Sequence, residues 1–164
     1  MIRLNISSIP IQLISGLYEA PVCSKGIWDR LIEAEQTDNY NQVCGMLTEG
    51  IPSDISEQKL FVMLYMENLR KIREETGLII PWYPSEPEDK NDKIKYTIYT
   101  SSDRMVADYA RMDIYAVDDI SVLEYWLLER DAFITAMSRT KDGRKYLNNA
   151  YRLTCTEADE DLEI

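Results

Sequence analysis

Histidine, paired cysteines and glycine-rich phosphate loops carry much of the chemistry that a short sequence can announce, and this one has none of them. The 164 residues include no histidine. That removes Ser-His-Asp and Cys-His catalysis and every His-ligated metal site. Cys23, Cys44 and Cys155 lie far apart, with no Cys-x-x-Cys pair. Three dispersed thiols fit reduced side chains in cytoplasm better than a disulfide framework. Cys44 reads as a small buried hydrophobe, because no base is at hand to activate it. Acids are abundant, 29 Asp and Glu in all, yet no pair has a spacing that singles it out. The expectation is a non-enzymatic chain with no metal, cofactor or nucleotide. What remains is contact chemistry. Aromatic residues and Arg carry most interface energy, so Trp126, Arg130 and Tyr151 are the candidate partner-binding residues.

These three sit in residues 121–153, which read as two helices folded back on each other. Ser121 is a start signal, and with Glu124 three residues on it forms a capping box. Ile120 and Tyr125 are placed to close over it as a hydrophobic staple. Leu123, Trp126, Leu127, Phe133, Ile134 and Met137 then recur at three- and four-residue steps, so they share one helical face. Arg130 interrupts that face. Either its stem lies on the core while its head reaches water, or its guanidinium pairs with a carboxylate across a helix interface. Ser138–Arg139–Thr140 reads as a break, with Thr140 capping a second helix. Gly143, in that helix's first turn, points to a close backbone approach. Tyr146, Leu147, Ala150 and Tyr151 are the expected inward stripe of an αα-hairpin.

The run ERDAFITAMSRTKDGRKYLNNAYRL resembles a segment of small proteins encoded near the tape-measure gene of long-tailed bacteriophages and prophages. The shared pattern covers Arg130, Asp131, Ala132, Phe133 and Ile134, then Thr140, Gly143, Arg144, Tyr146 and Leu147, then Tyr151, Arg152 and Leu153. It departs across Lys141 and Asp142, where both positions would be acidic and only Asp142 is. The match spans about the last quarter of the chain. Such proteins are regarded as tail assembly chaperones. The resemblance therefore implies a cytoplasmic role in the bacterial host, binding the helical tape-measure protein while the tail is built. Two other readings stay open: an acidic phage-encoded inhibitor or nucleic-acid mimic that blocks a host protein, and a structural tail subunit.

Composition sets outer bounds. A chain with 45% hydrophobic and 29% charged residues is ordinary globular material. A net charge of −11 argues against wrapping nucleic acid. No apolar run approaches the ~20 residues of a membrane span, and the N-terminus is a poor signal peptide. The expected class is α+β and mainly helical, with N-terminal helices, a small β element and the C-terminal hairpin. One domain is expected over 1–153: a helical lobe over about 1–77, a polar loop at 84–93, and a strand plus the hairpin over 94–153. The last stretch, 154–164, reads as an acidic tail, solvated or serving as an arm for a basic partner.

Within the lobe, Ile2, Leu4 and Ile6 alternate as a strand that Pro10 would end or confine to an edge. Helices are predicted over 24–36 with Ser24 as cap, over a short stretch from Tyr40 to Gly50, and over 56–76 with Ser56 as cap and Gly77 as stop. LFVMLYM at 60–66 is apolar on every side, so that helix is expected to be covered all round. Met63 and Met66 belong to this core or to an adaptable binding surface. Beyond it, 94–100 is predicted to pair with 2–6, with 78–81 or 114–117 as further strands. Asp103 is the expected cap of a short helix.

Overall fold

The computed structural model describes residues 2–6, 9–13, 23–47, 54–84 and 101–160. Among these the chain is mostly helical. Ile2–Ile6 (β1) pairs antiparallel with Ile9–Leu13 (β2), with Asn5 opposite Pro10. Six α-helices follow: α1 (Lys25–Thr37), α2 (Asn41–Leu47), α3 (Ile55–Glu75), α4 (Ser101–Ala110), α5 (Val122–Ser138) and α6 (Lys141–Glu160). The expected β element is not confirmed. Residues 94–100 lie outside the described residues, 78–81 form no strand, and Ile114–Asp119 is a 3-10 helix.

The chain divides into two compact units. One comprises Met1–Leu78 and Tyr115–Trp126, the other Ile79–Ile114 and Leu127–Ile164. The division falls within α5.

The first unit is built around α3. Ser24 caps α1 through the Ile27 N–H, and Asp38 ends it in the left-handed region at φ 57°. Asp is one of the few residues that accept that conformation. Tyr40, Val43, Cys44 and Leu47 are buried as one face of the α2 region. Asp54, rather than Ser56, caps α3: its carboxylate accepts from the Ser56 N–H at 2.6 Å. A carboxylate also suits the positive end of the helix dipole. Gly77, at φ 67°, stops α3 as expected. Its N–H donates to the Glu74 carbonyl and that of Leu78 to the Arg73 carbonyl, the paired bonds of a Schellman ending. Phe61, Val62, Tyr65, Met66, Leu69 and Ile72 are buried, whereas Leu60 and Met63 are exposed. The helix is thus covered on one broad face and not all round. Met66 is core and Met63 is surface.

In the second unit α4 begins at Ser101, so Asp103 lies in its first turn and is not its cap. Val106 and Ala107 are its buried residues, while Tyr109 is exposed. The chain turns back between α5 and α6 through Arg139 and Thr140. Thr140 Oγ1 accepts from the Gly143 N–H at 2.9 Å, as its capping role requires. Arg144 ties the corner by donating to the Ser138 carbonyl at 2.7 Å. A Cβ at Gly143 would overlap the Met137 carbonyl oxygen and stand 2.7 Å from its carbon. The glycine is therefore there for proximity, not flexibility. The inward stripe of α6 is Gly143, Tyr146, Leu147 and Ala150; Tyr151 points away from it. α6 also continues to Glu160, so the expected acidic tail begins as helix, with no Gly or Pro to stop it.

Gly143→Ala separates propensity from packing. Helix propensity alone would make it stabilising by about 1 kcal/mol. The Met137 contact reverses the sign, and urea unfolding should show a loss of roughly 1–3 kcal/mol.

Candidate functional site

The three candidate contact residues fall in different environments. Trp126 is 2% exposed. Its ring meets Trp28 of α1 edge-on, with centroids 5.1 Å apart and planes at 86°. The Arg73 guanidinium of α3 lies 4.8 Å from the Trp126 centroid, and that of Arg70 lies 6.0 Å from Trp28. Trp126 is therefore core to the first unit. Of the two roles open to it from sequence, partner contact and packing within the hairpin, the structure shows neither: it shows packing against α1 and α3. A Trp flanked by Tyr125 and Leu127 on one helix gave no sign of which neighbour it would meet.

Arg130 is half-exposed, and its Nη1 lies 3.0 Å from Asp131 Oδ1. Its head reaches water, as the first of its two readings has it, and the carboxylate it meets belongs to its own helix and not to one across a helix interface. Its surroundings revise the apolar face of α5. The buried positions are Val122, Tyr125, Trp126, Glu129 and Ala132. Leu127, Arg130, Ile134 and Met137, at steps of three and four, form a second stripe that stays partly open. Leu127 is 44% exposed and the other three are half-buried. Sequence periodicity had merged these two faces, because α5 is apolar around most of its circumference.

Tyr151 is 72% exposed. Its hydroxyl lies in hydrogen-bond contact with Cys155 one turn on, which raises its pKa. It is a surface residue and carries no core packing. In the same unit the aromatic packing falls to others. Tyr146 makes edge contacts with Phe133 at 6.2 Å and with Tyr83 at 6.1 Å, and its hydroxyl accepts from the Tyr83 N–H at 2.9 Å.

The remaining chemistry is sparse. Cys23 and Cys44 are buried, and burial pushes both thiols up to about 11. Cys155 is exposed. Tyr65 is fully buried, and its hydroxyl accepts from the Cys23 N–H at 3.0 Å; burial first, then the neighbouring thiol, raises its pKa. A polar cleft of about 400 Å³ lies between α1 and α2, lined by Arg30, Glu33, Thr37, Asn39 and Gln42 among others. Among the described residues no group of three or more His, Cys, Asp or Glu is placed to hold a metal ion. Among the same residues, no helix is long and apolar enough to cross a membrane.

No protein-family model, curated protein or solved structure matches the chain.

Two measurements follow from these placements. Trp126→Ala should cost about 3–5 kcal/mol in urea unfolding, whereas Tyr151→Ala should stay within roughly 0.5 kcal/mol of the parent. Thiol titration of the native chain near neutral pH should find Cys155 reacting fast and the two buried thiols only on unfolding. The buried thiols bind their protons more tightly when folded, to about 11 against a reference of 9.0. Their contribution to stability is complete below pH 9 and is lost as pH rises through about 11.

Proposed function

We propose that the chain is a non-enzymatic escort for an amphipathic helix of a long coiled-coil-like protein, of the kind that tail assembly chaperones provide for a tape-measure protein. The observation that carries the reading is the partly open stripe Leu127–Arg130–Ile134–Met137 on α5. Its three- and four-residue steps are those of a coiled-coil seam. An apolar seam at that spacing fits a helix laid alongside it. Arg130 stands in the middle of the seam, at the position from which a fork of donors could meet a carboxylate of the client. Tyr151 supplies a second, exposed aromatic anchor. The same stretch carries the phage-like pattern of the sequence. An acidic chain of net charge −11 would keep such a complex dispersed by repulsion. Trp126, being buried, is withdrawn from the contact set.

Co-expression with a tape-measure protein encoded in the same gene neighbourhood tests the reading. The client should remain soluble only with this chain, and the two should co-elute on gel filtration. Arg130→Ala and Tyr151→Ala should each weaken the complex about fivefold or more, corresponding to over ~1 kcal/mol, with the melting temperature unchanged. Equal client solubility with and without the chain, and no co-elution, would sink it.

A further inference from the structure

The second unit opens with residues 79–84, IIPWYP, an extended run that belongs to no helix or strand. Within it Trp82 is 67% exposed. The residues on either side of Trp82 are both tied to one side chain of α6. The Tyr146 hydroxyl accepts from the Tyr83 N–H at 2.9 Å and donates to the Pro81 carbonyl at 3.4 Å. The Tyr83 and Tyr146 rings also meet edge-on, with centroids 6.1 Å apart. Pro81 and Pro84 each fix a φ of their own. The backbone under Trp82 is therefore pinned on both sides. Pro81 and Tyr83 are half-buried, while the indole between them stands in water.

Holding an exposed indole still adds nothing to a core. It does lower the cost of ordering that residue when something binds it. Trp is also among the residue types most enriched at the centres of binding energy in interfaces. The pin, moreover, joins Trp82 to the α5 stripe. The other edge contact of Tyr146 is Phe133, at 6.2 Å. Phe133 lies three residues after Arg130 and four before Met137. With Leu127 and Ile134 at one core position of a seam and Arg130 and Met137 at the other, Phe133 takes a flanking position, the kind that borders a partner helix. Ring by ring, Phe133, Tyr146 and Tyr83 lead from the stripe to the run that carries Trp82, all within the second unit.

We infer that Trp82 is a third anchor for the client helix that docks on the α5 stripe, and that Tyr146 is the positioning residue that presents it. The inference rests on the escort reading and extends it by one contact and one support. A helix is about 10–12 Å across with its side chains. Seated on the stripe, it borders Phe133, and the side chains on that flank meet the indole. The recognised segment of the client therefore carries apolar residues at three- and four-residue steps, an acid facing Arg130, and a further apolar side chain on the flank that faces Trp82. Tyr146 makes no contact with the client in this scheme. Its hydroxyl acts through the two bonds that fix the backbone around Trp82.

Acrylamide quenching of the full chain, free and in complex with the co-expressed tape-measure protein, tests it. In the free chain the quencher should reach Trp82 but not Trp28 or Trp126, which are 8% and 2% exposed. The difference between the parent and Trp82→Phe isolates the Trp82 signal in each state. In the complex that signal should be quenched about threefold less, because anchors are shielded from water. Trp82→Ala should weaken the complex about tenfold or more, with the melting temperature unchanged. Tyr146→Phe keeps the ring and removes both bonds. It should weaken the complex about threefold in the parent and not at all in the Trp82→Ala background, a non-additivity that a merely structural tyrosine would not show. A complex in which Trp82 stays as accessible as in the free chain, or one that forms as tightly with Trp82→Ala, overturns the inference and leaves the escort reading standing. An equal loss from Tyr146→Phe in both backgrounds overturns the positioning role. Absence of any complex ends both readings.

Discussion

The first unit depends on a short reciprocal stitch between the starts of two helices. The N–H of Lys25, first residue of α1, donates to the Ile120 carbonyl at 2.8 Å, and that of Val122, first residue of α5, donates to the Cys23 carbonyl at 3.0 Å. Ser24 and Ser121, the two capping residues, stand opposite each other as an isolated antiparallel bridge. Helix starts leave backbone N–H groups without intrahelical partners. Here each helix supplies the carbonyl the other lacks, while its serine hydroxyl serves a further donor inside its own first turn. Two positive dipole ends are brought together by this arrangement, and Lys25 adds a third positive charge. Asp29, at 2.6 Å, and Asp118, at 3.7 Å, offset it, and the Tyr125 ring lies 5.3 Å from the ammonium. Gly26 permits the approach, since a Cβ there would press on Asp118 at 3.2 Å.

From this stitch the central helix is fixed in turn. The Cys23 N–H, one residue before the bridge, is bonded to the Tyr65 hydroxyl. That bond ties α3 to the junction of α1 and α5, and explains why a tyrosine occupies a fully buried position. A buried N–H left without a partner costs about 1–3 kcal/mol, so phenylalanine is no substitute. Around it, Arg70 bonds Glu35 at 2.7 Å and Lys59 bonds Asp38 at 2.6 Å, both joining α3 to α1 or its end. These pairs are exposed and add little each. Their value is in fixing register over a core that is otherwise apolar.

Local signals were legible in the sequence, and side-chain destinations were not. Ser24, Gly77, Ser121, Thr140 and Gly143 act as the sequence implied, because capping and close approach are decided within a few residues. Ser56 lost its expected role to Asp54, two residues earlier, and both can cap. The β element was legible only in part: 2–6 is a strand, as its alternation implied, but it pairs with 9–13, and alternation at 114–117 did not distinguish a strand from a 3-10 turn. The candidate site was legible only in part. Tyr151 and Ala150 are adjacent, so a small rotation of the stripe moves one in and the other out. Trp126 and Leu127 exchange roles in the same way. Periodicity finds an apolar arc, but the position of its edges depends on what packs against it.

On the escort reading, the same ambiguity gives Arg130 a purpose. α5 keeps a partly open apolar stripe beside its buried face, and a helix with a bare apolar seam would pair with any similar surface. Arg130 sits at the centre of that seam, held at 3.0 Å by Asp131. Its stem preserves the apolar contact area, while its charge must be met by a carboxylate or returned to water. A wholly apolar seam on another protein would strand the guanidinium and be rejected. One carrying an acid at the matching turn would be accepted. On the escort reading, discrimination therefore comes from one residue that makes wrong partners costly more than from those that make the right one favourable.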